Sequence, residues 1–351
     1  MKILMVAGSL KSIGGIEKYN TDLFNSITKF NHNVILVERF PGKFFAKFVF
    51  FLKCIYKFFT YKPDYIICCH INFLPIIYYL RKFKDIEYSV SIYGIEIIPE
   101  LKPIIKQSIN KADKIITISN YTKNLILKKL PNVQNRIFML KSAINADEFN
   151  IEKKDARKIN QLGLKNKKII LTLARLSTNE DKGQHRVLKS LPKIIEQIPN
   201  AVYLIVGGGN DDRINKFLSE NPILSKSVCL TGEIPKQEKN MFYNLADVFI
   251  MPSKTEGFGI VFIEALACGL PVICSDGYGC KEGLLDGELG KLVDPEDTNS
   301  ISNVIIECLS KENNLSLSQR KSIRKKTIKV YGLKMWDRTI SNFLKLVNER
   351  I

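Results

Sequence analysis

DVFIMPSKTEGFGIVFIEALACGLPVICSD, residues 247–276, is the stretch that decides the fold. Its opening run, 247–251, is apolar and of strand length. A helical period begins near Gly259, and 271–274 (PVIC) is a second apolar run. Strand, loop, helix and strand in that order form one β/α unit of a parallel sheet, because parallel neighbours need a crossover between them. The alternation continues outward. Apolar runs recur upstream at 168–174, 201–206 and 227–231, and an earlier series lies at 2–7, 33–38, 64–69, 87–92 and 114–118. Between the two series, 150–167 (NIEKKDARKINQLGLKNK) is charged and lacks an apolar period, so the junction is expected there. A chain of 351 residues also exceeds what one core usually supports. The expectation is an α/β protein of two parallel-sheet domains, 1–160 and 161–330, with 331–351 as a terminal amphipathic helix anchored by Trp336.

Composition narrows the class. With 45% apolar and 25% charged residues the chain is globular. Its eight cysteines sit mostly inside apolar runs without CxxC spacing, which favours reduced, buried thiols over disulfides, and only three histidines occur. No metal site is expected. The N-terminus reads as a first strand, and no charge-free apolar run is long enough to span a bilayer. Net charge is +18 and uneven, with 26 basic against 13 acidic residues in 1–160 and 27 against 22 in 161–351. Such a field suits an anionic membrane face, a phosphorylated acceptor or nucleic acid, but no nucleic-acid motif is present. Within the basic half, KFFAKFVFFLKCIYKFF (43–59) has Lys43, Lys47, Lys53 and Lys57 inside an arc of roughly 120° at about 100° per residue, phenylalanines covering the remainder. An interfacial helix is expected, its lysines at anionic headgroups and Phe44, Phe45, Phe48, Phe51, Phe58 and Phe59 partly inserted. The competing arrangement packs the phenylalanines on the sheet and leaves the lysines as its solvated face.

Parallel α/β sheets bind ligands where strand carboxyl ends meet helix N-termini. After the first strand, Gly14 and Gly15 precede a helix and would let an anion approach the helix-start amides. After 247–251, Glu256 ends the loop, Gly257 and Gly259 flank Phe258, and Glu264 follows in the helix. The glycines admit a diphosphate or sugar hydroxyls to the helix start. The two carboxylates, acceptors only, suit vicinal hydroxyls of a sugar and a ribose.

These residues resemble the signature of retaining glycosyltransferases of family 4, in which two glutamates bracket seven residues and an Ala-x-Ala-x-Gly-x-Pro-Val run follows. LTLARLSTNEDKGQHRVLKSL (171–191) resembles that family's arginine and lysine-glycine element, and VGGG (206–209), LTGEIP (230–235) and GKLVDPED (290–297) fit in order. GGIEKY, SIYGIE (91–96), ITISNYT (116–122) and SAINADEF (142–149) are more distant versions. The resemblance implies the GT-B fold, two Rossmann-like domains facing across a cleft, the first on the acceptor side and the second holding a nucleotide sugar, with the terminal helix 331–351 crossing back to the first. It implies that Arg175 and Lys182 neutralise the donor diphosphate, that Glu256 grips the transferred sugar with Gly257, Phe258 and Gly259, and that Glu264 holds the ribose. Tyr93 stands where many relatives have histidine, so the acceptor side would rest on that phenol, on His70 and on Glu96.

The function expected is transfer of a hexose from a nucleotide sugar to a lipid-linked or surface-polysaccharide acceptor. The resemblance adds retention of configuration, by front-face attack. The nucleotide sugar is substrate and no cofactor or metal is expected, since basic groups and helix-end amides would carry the charge and no acidic DxD-like element follows a strand. Placement is expected to be cytoplasmic, peripheral to the inner face of the cell membrane. Two alternatives remain open: a nucleotide-sugar epimerase, which would need its own acid and base around the sugar, and a non-catalytic basic binding protein.

Overall fold

A computed structural model describes residues 1–10, 14–30, 32–40, 42, 44–178, 181–310 and 315–349. Two compact units result, Met1–Ala143 with Lys334–Ile351, and Ile144–Leu333.

In the first unit the strands β1 (Lys2–Gly8), β2 (Asn33–Arg39), β3 (Tyr65–Cys68), β4 (Glu87–Ile92), β5 (Lys114–Thr117) and β6 (Ile137–Met139) form one sheet of order β2-β1-β3-β4-β5-β6, parallel throughout. The helices are α1 (Gly15–Lys29), α2 (Phe44–Tyr61), α3 (Leu74–Leu80), α4 (Pro103–Lys111) and α5 (Asn120–Lys129). β1 is buried from Ile3 to Ala7 and β3 along its whole length, as expected of central strands covered on both faces.

The second unit repeats the plan. Its main strands are β7 (Lys168–Leu173), β9 (Ala201–Val206), β11 (Val228–Leu230), β12 (Val248–Met251), β13 (Val272–Ser275) and β14 (Lys291–Val293), ordered β11-β9-β7-β12-β13-β14 and parallel. That is the doubly wound order 3-2-1-4-5-6 of a Rossmann sheet. A two-stranded ribbon of β8 (Leu176–Ser177) and β10 (Gly209–Asn210) stands beyond the sheet. The helices are α6 (Ala156–Gln161), α7 (Gln184–Gln197), α8 (Asp212–Glu220), α9 (Pro222–Ser225), α10 (Lys239–Leu245), α11 (Ile260–Ala267), α12 (Cys280–Gly283), α13 (Thr298–Leu309) and α14 (Leu317–Tyr331). The terminal helix α15 (Leu333–Asn348) belongs, from Lys334 on, with the first unit. There Trp336 meets Tyr19 edge to face at 5.1 Å and Phe343 packs against Tyr65 and Phe138.

The division falls at Ala143/Ile144 rather than inside 150–167. Hydrogen bonds and an ion pair, not apolar periodicity, attach the segment 144–154 to the second unit. The Ile144 amide donates to the Tyr331 carbonyl, Arg324 donates to the carbonyls of Ala146 and Phe149, Asn244 holds Asn150, and Lys154 pairs with Asp247 at 2.9 Å. All eight cysteines are free thiols, six of them buried.

The helix expected at 43–59 is present as α2, but its faces are arranged otherwise. Lys43 and the Phe44 side chain lie outside the described residues. Phe50, Cys54 and Phe58 are buried, so the core side overlaps the arc assigned to the lysines, and Phe58 is not available to an interface. Phe45, Phe48, Phe51 and Phe59, which were also expected at the interface, are exposed. Lysine stems allow this, since a long side chain can cross apolar surface and keep its ammonium in water.

Candidate donor site

In each sheet the strand order reverses at one point, and ligands of such sheets sit outside the carboxyl ends there. In the second unit that point lies between β7 and β12. Arg175 follows β7 by two residues, Lys182 and Gly183 follow its loop, and Glu256 follows β12.

Lys182 Nζ stands 2.7 Å from Glu256 Oε1, with about an eighth of each side chain accessible. Both loops are fixed around this pair. Asp181 is the hub: its carbonyl accepts from Ser253 Oγ (2.8 Å), Thr255 Oγ1 (3.3 Å) and the Lys254 amide (3.1 Å), while its carboxylate takes both terminal nitrogens of Arg186. Arg186, nearly buried, also donates to Glu296 at 2.9 Å, and Glu296 accepts from Lys254. Burial acts against the Asp181 carboxylate, but Arg186 outweighs it and holds the pKa below the ordinary value. Gly183 opens α7 in the left-handed region, φ +83°, where a Cβ would stand 2.3 Å from the Pro252 carbonyl oxygen, so no other residue fits without moving the two loops apart. His185, in the first turn of α7, is pushed down to about 4 by burial and then by Arg186 and Arg213.

Arg175 is exposed and sits at the base of the β8/β10 ribbon, whose register pairs Leu176 with Gly209. A Cβ on Gly207 would stand 2.0 Å from the Ala174 carbonyl oxygen, so the VGGG turn is glycine-rich because it lies against the chain leading into Arg175.

Gly259 caps α11 at φ +78°, facing Glu256 Oε2. Phe258, expected among the donor contacts, has its ring in the core, 1% exposed and edge to face with Tyr331 at 5.6 Å. Only its backbone remains for a ligand, because an apolar ring gains more from burial than from a polar pocket. Glu264 is 2% exposed and already engaged: Lys239 Nζ lies 2.6 and 2.9 Å from its two oxygens, and Tyr243 OH donates at 2.8 Å. The sequence reading missed Lys239 and Tyr243, although their four-residue spacing puts both on one face of α10. It also missed the Asp181–Arg186–Glu296 network.

In the first unit the order reverses between β1 and β3. Gly14 caps α1, and a Cβ there would stand 2.1 Å from Glu17 Oε2. A carboxylate thus already lies beside this helix start, where the sequence reading placed an anion. Tyr93 is buried, its hydroxyl 2.6 Å from Asn20 Oδ1 and 3.0 Å from the Cys69 carbonyl, so the phenol is committed to the core rather than offered to a ligand. Glu96 Oε1 accepts from the Tyr93 amide at 2.6 Å, and burial raises its pKa. His70 follows β3, accepts from the Asn72 amide through Nδ1 at 3.1 Å, and has its ring 6.4 Å from that of Tyr93. Burial, then Arg39, lower its pKa. Its Nε2 is the ring nitrogen not used in that bond.

Residues 154–330 match the model of the family described as glycosyl transferases group 1. Among curated proteins, the chain is 28% identical over 225 residues to the GDP-mannose-dependent alpha-(1-6)-phosphatidylinositol monomannoside mannosyltransferase of Mycolicibacterium smegmatis, covering 62% of this chain. It spans 58% of that relative's length. Among solved structures, HepE of Anabaena in complex with UDP and glucose superposes with a TM-score of 0.80 at 18% identity, covering 98% of this chain and 99% of that one. Sucrose-phosphate synthase of Thermosynechococcus elongatus superposes with a TM-score of 0.81 at 18% identity, covering 99% and 100%. These two likenesses establish the fold.

Proposed function

Because the chain belongs to the glycosyl transferases group 1 family, we propose that it transfers a sugar from a nucleotide-sugar donor to a lipid-linked or saccharide acceptor, with retention of configuration. The observation that carries this reading is the Lys182–Glu256 pair at the switch point of the second sheet, fixed from behind by Asp181 and Arg186. A cation and a carboxylate held 2.7 Å apart match the two ends of a donor's reactive bond.

In this proposal Lys182 leaves Glu256 for the diphosphate when the donor binds, and Glu256 turns to the sugar hydroxyls. Arg175 adds a second positive charge to the leaving group, and the α11 N-terminus with Gly257 and Gly259 adds backbone dipoles. Glu264 takes the ribose hydroxyls while Lys239 keeps its charge balanced. As the bond from the anomeric carbon to the phosphate oxygen breaks, the acceptor oxygen bonds that carbon on the same face. The acceptor hydroxyl's proton passes to the departing phosphate. With the phosphate charge met by Lys182 and Arg175, the transfer needs no divalent cation. On the acceptor side the role falls to His70, because Tyr93 is committed to the core.

The relative from Mycolicibacterium smegmatis is named for GDP-mannose and a phosphatidylinositol mannoside, and HepE was solved with UDP and glucose, which sets the first donors to try. The test is to incubate the purified protein with UDP-glucose, GDP-mannose and related nucleotide sugars, reading thermal protection and slow release of nucleoside diphosphate. One donor is expected to do both. Protection by none would overturn the proposal.

A further inference from the structure

One edge of the first unit carries an apolar stripe that nothing among the described residues covers. At about 100° per residue, Phe45, Phe48, Leu52, Tyr56 and Phe59 of α2 fall within about 80°, nearly opposite the buried Phe50, Cys54 and Phe58. Phe45 is 77% exposed and Tyr56 62%. The stripe does not end with the helix. Phe59 meets Phe83 at 5.9 Å, and Phe83, just past α3, is itself 72% exposed. The residues flanking Phe83 in the chain, Lys82 and Asp85, help line an open hollow of about 490 Å³. Arg81, Lys82, Lys111 and Arg136 line it, with Asp85 and Asp113. The acids are engaged, Asp85 by Arg81 at 3.0 Å and Asp113 by the Tyr88 amide at 2.8 Å. Arg136 is turned to the carbonyls of Asn110 and Ala112. Lys82 and Lys111 have no carboxylate partner among the described residues, and their ammonium groups lie 5.6 and 5.2 Å from the centre of the Tyr78 ring. Lys53 lies over Phe40 and Lys57 over Tyr56 in the same manner.

We infer that this edge docks on an anionic phospholipid bilayer, the α2 stripe and Phe83 entering the interface and Lys82 and Lys111 meeting lipid phosphate in the hollow. Aromatic rings bordered by lysines match the two layers of such a surface, apolar chains beneath negative headgroups. A second copy of this chain would bring the same positive rim against itself across a two-fold axis. No described helix is long and apolar enough to cross the bilayer, so α2 lies along it. The hollow sits at the amino ends of β4 and β5, beside Asp113 and Lys111, whereas His70 is at the carboxyl end of β3. Docking therefore leaves the carboxyl ends of the sheet open. The inference fits an acceptor held in a membrane, but vesicle binding requires no sugar transfer, so the two ideas fail separately.

The test is flotation of the full chain with phosphatidylcholine vesicles, with and without phosphatidylglycerol, at low and high salt. Binding should require phosphatidylglycerol and fall with salt. Lys82→Gln with Lys111→Gln should weaken it by more than tenfold, at about fivefold per lysine, and Phe48→Ser with Leu52→Ser and Phe59→Ser should abolish it. A polarity-sensitive dye on Phe48→Cys should shift to the blue with anionic vesicles, which keeps the test decisive if a multiple variant folds poorly. Equal binding by the lysine variant, an unshifted dye, or a stripe that instead mediates self-association in light scattering would overturn the inference.

Discussion

Replacing Lys182 with alanine separates a catalytic cation from a structural one. In the unliganded protein the substitution strips Glu256 of a partner at 2.7 Å in a site where little of either side chain is accessible. A hydrogen bond to a charged group contributes about 1.5–3 kcal/mol, and the residual solvent access places this one near the lower figure. That is a melting shift of several degrees for a unit of this size. The catalytic loss is larger. Removing one preorganised donor from a developing anion costs about 3 kcal/mol, or about a hundredfold at 1.36 kcal/mol per decade. Turnover is read as nucleoside diphosphate release at saturating donor, and stability as a urea midpoint on the same preparation. The double variant Lys182→Ala/Glu256→Gln decides: its stability should recover, because neither partner is left charged and alone, while its turnover stays low. Activity that returns with stability would reduce the pair to scaffolding and rule out a catalytic role for Lys182.

Glu264→Ala should lower stability by about 3 kcal/mol, as for one partner removed from a buried pair, and weaken binding of the free nucleoside diphosphate in calorimetry. Lys239→Ala should share the stability loss but keep the affinity, and an equal fall in affinity would remove Glu264 from the ribose. His185 is held to about 4 in the folded chain against an ordinary 6.5, so the unfolded chain binds more protons across that window and stability falls as pH drops through it. In urea titrations at pH 7 and pH 5, His185→Gln should flatten this slope, and an unchanged slope would show that another group carries it. Transfer should persist in excess EDTA, and loss reversed by magnesium would contradict a charge clamp built from Lys182 and Arg175.

The double alternation of strands and helices was plain in the sequence because buried parallel strands are uninterrupted apolar runs, and ten of them stood out. β6, β8, β10 and β14 were not among those runs. They are two or three residues long, partly or wholly exposed, and paired through backbone rather than side-chain pattern. The loops after β7 and β12 were legible because Gly183 and Gly259 occupy backbone conformations that few other residues adopt. What surrounds them was not. Arg186, Glu296 and Lys254 are distant in sequence and ordinary in type, and only the fold brings them together. Phe258 shows the limit of position as evidence: its place between two glycines suggested a ligand contact, but burial decided its ring. Tyr93 went the same way, with a phenol standing in for an imidazole and spent on Asn20 and the Cys69 carbonyl. On α2 the periodicity located the helix, yet lysines that reach past the core made the buried side unreadable.

Whether the switch point of the second sheet holds the donor diphosphate is decided by a crystal structure with bound UDP or GDP. The diphosphate should lie at the α11 N-terminus, with Lys182 Nζ and the Arg175 guanidinium within hydrogen-bonding distance of its oxygens and the Lys182–Glu256 contact broken. A diphosphate bound elsewhere, with that 2.7 Å pair still intact, would contradict it.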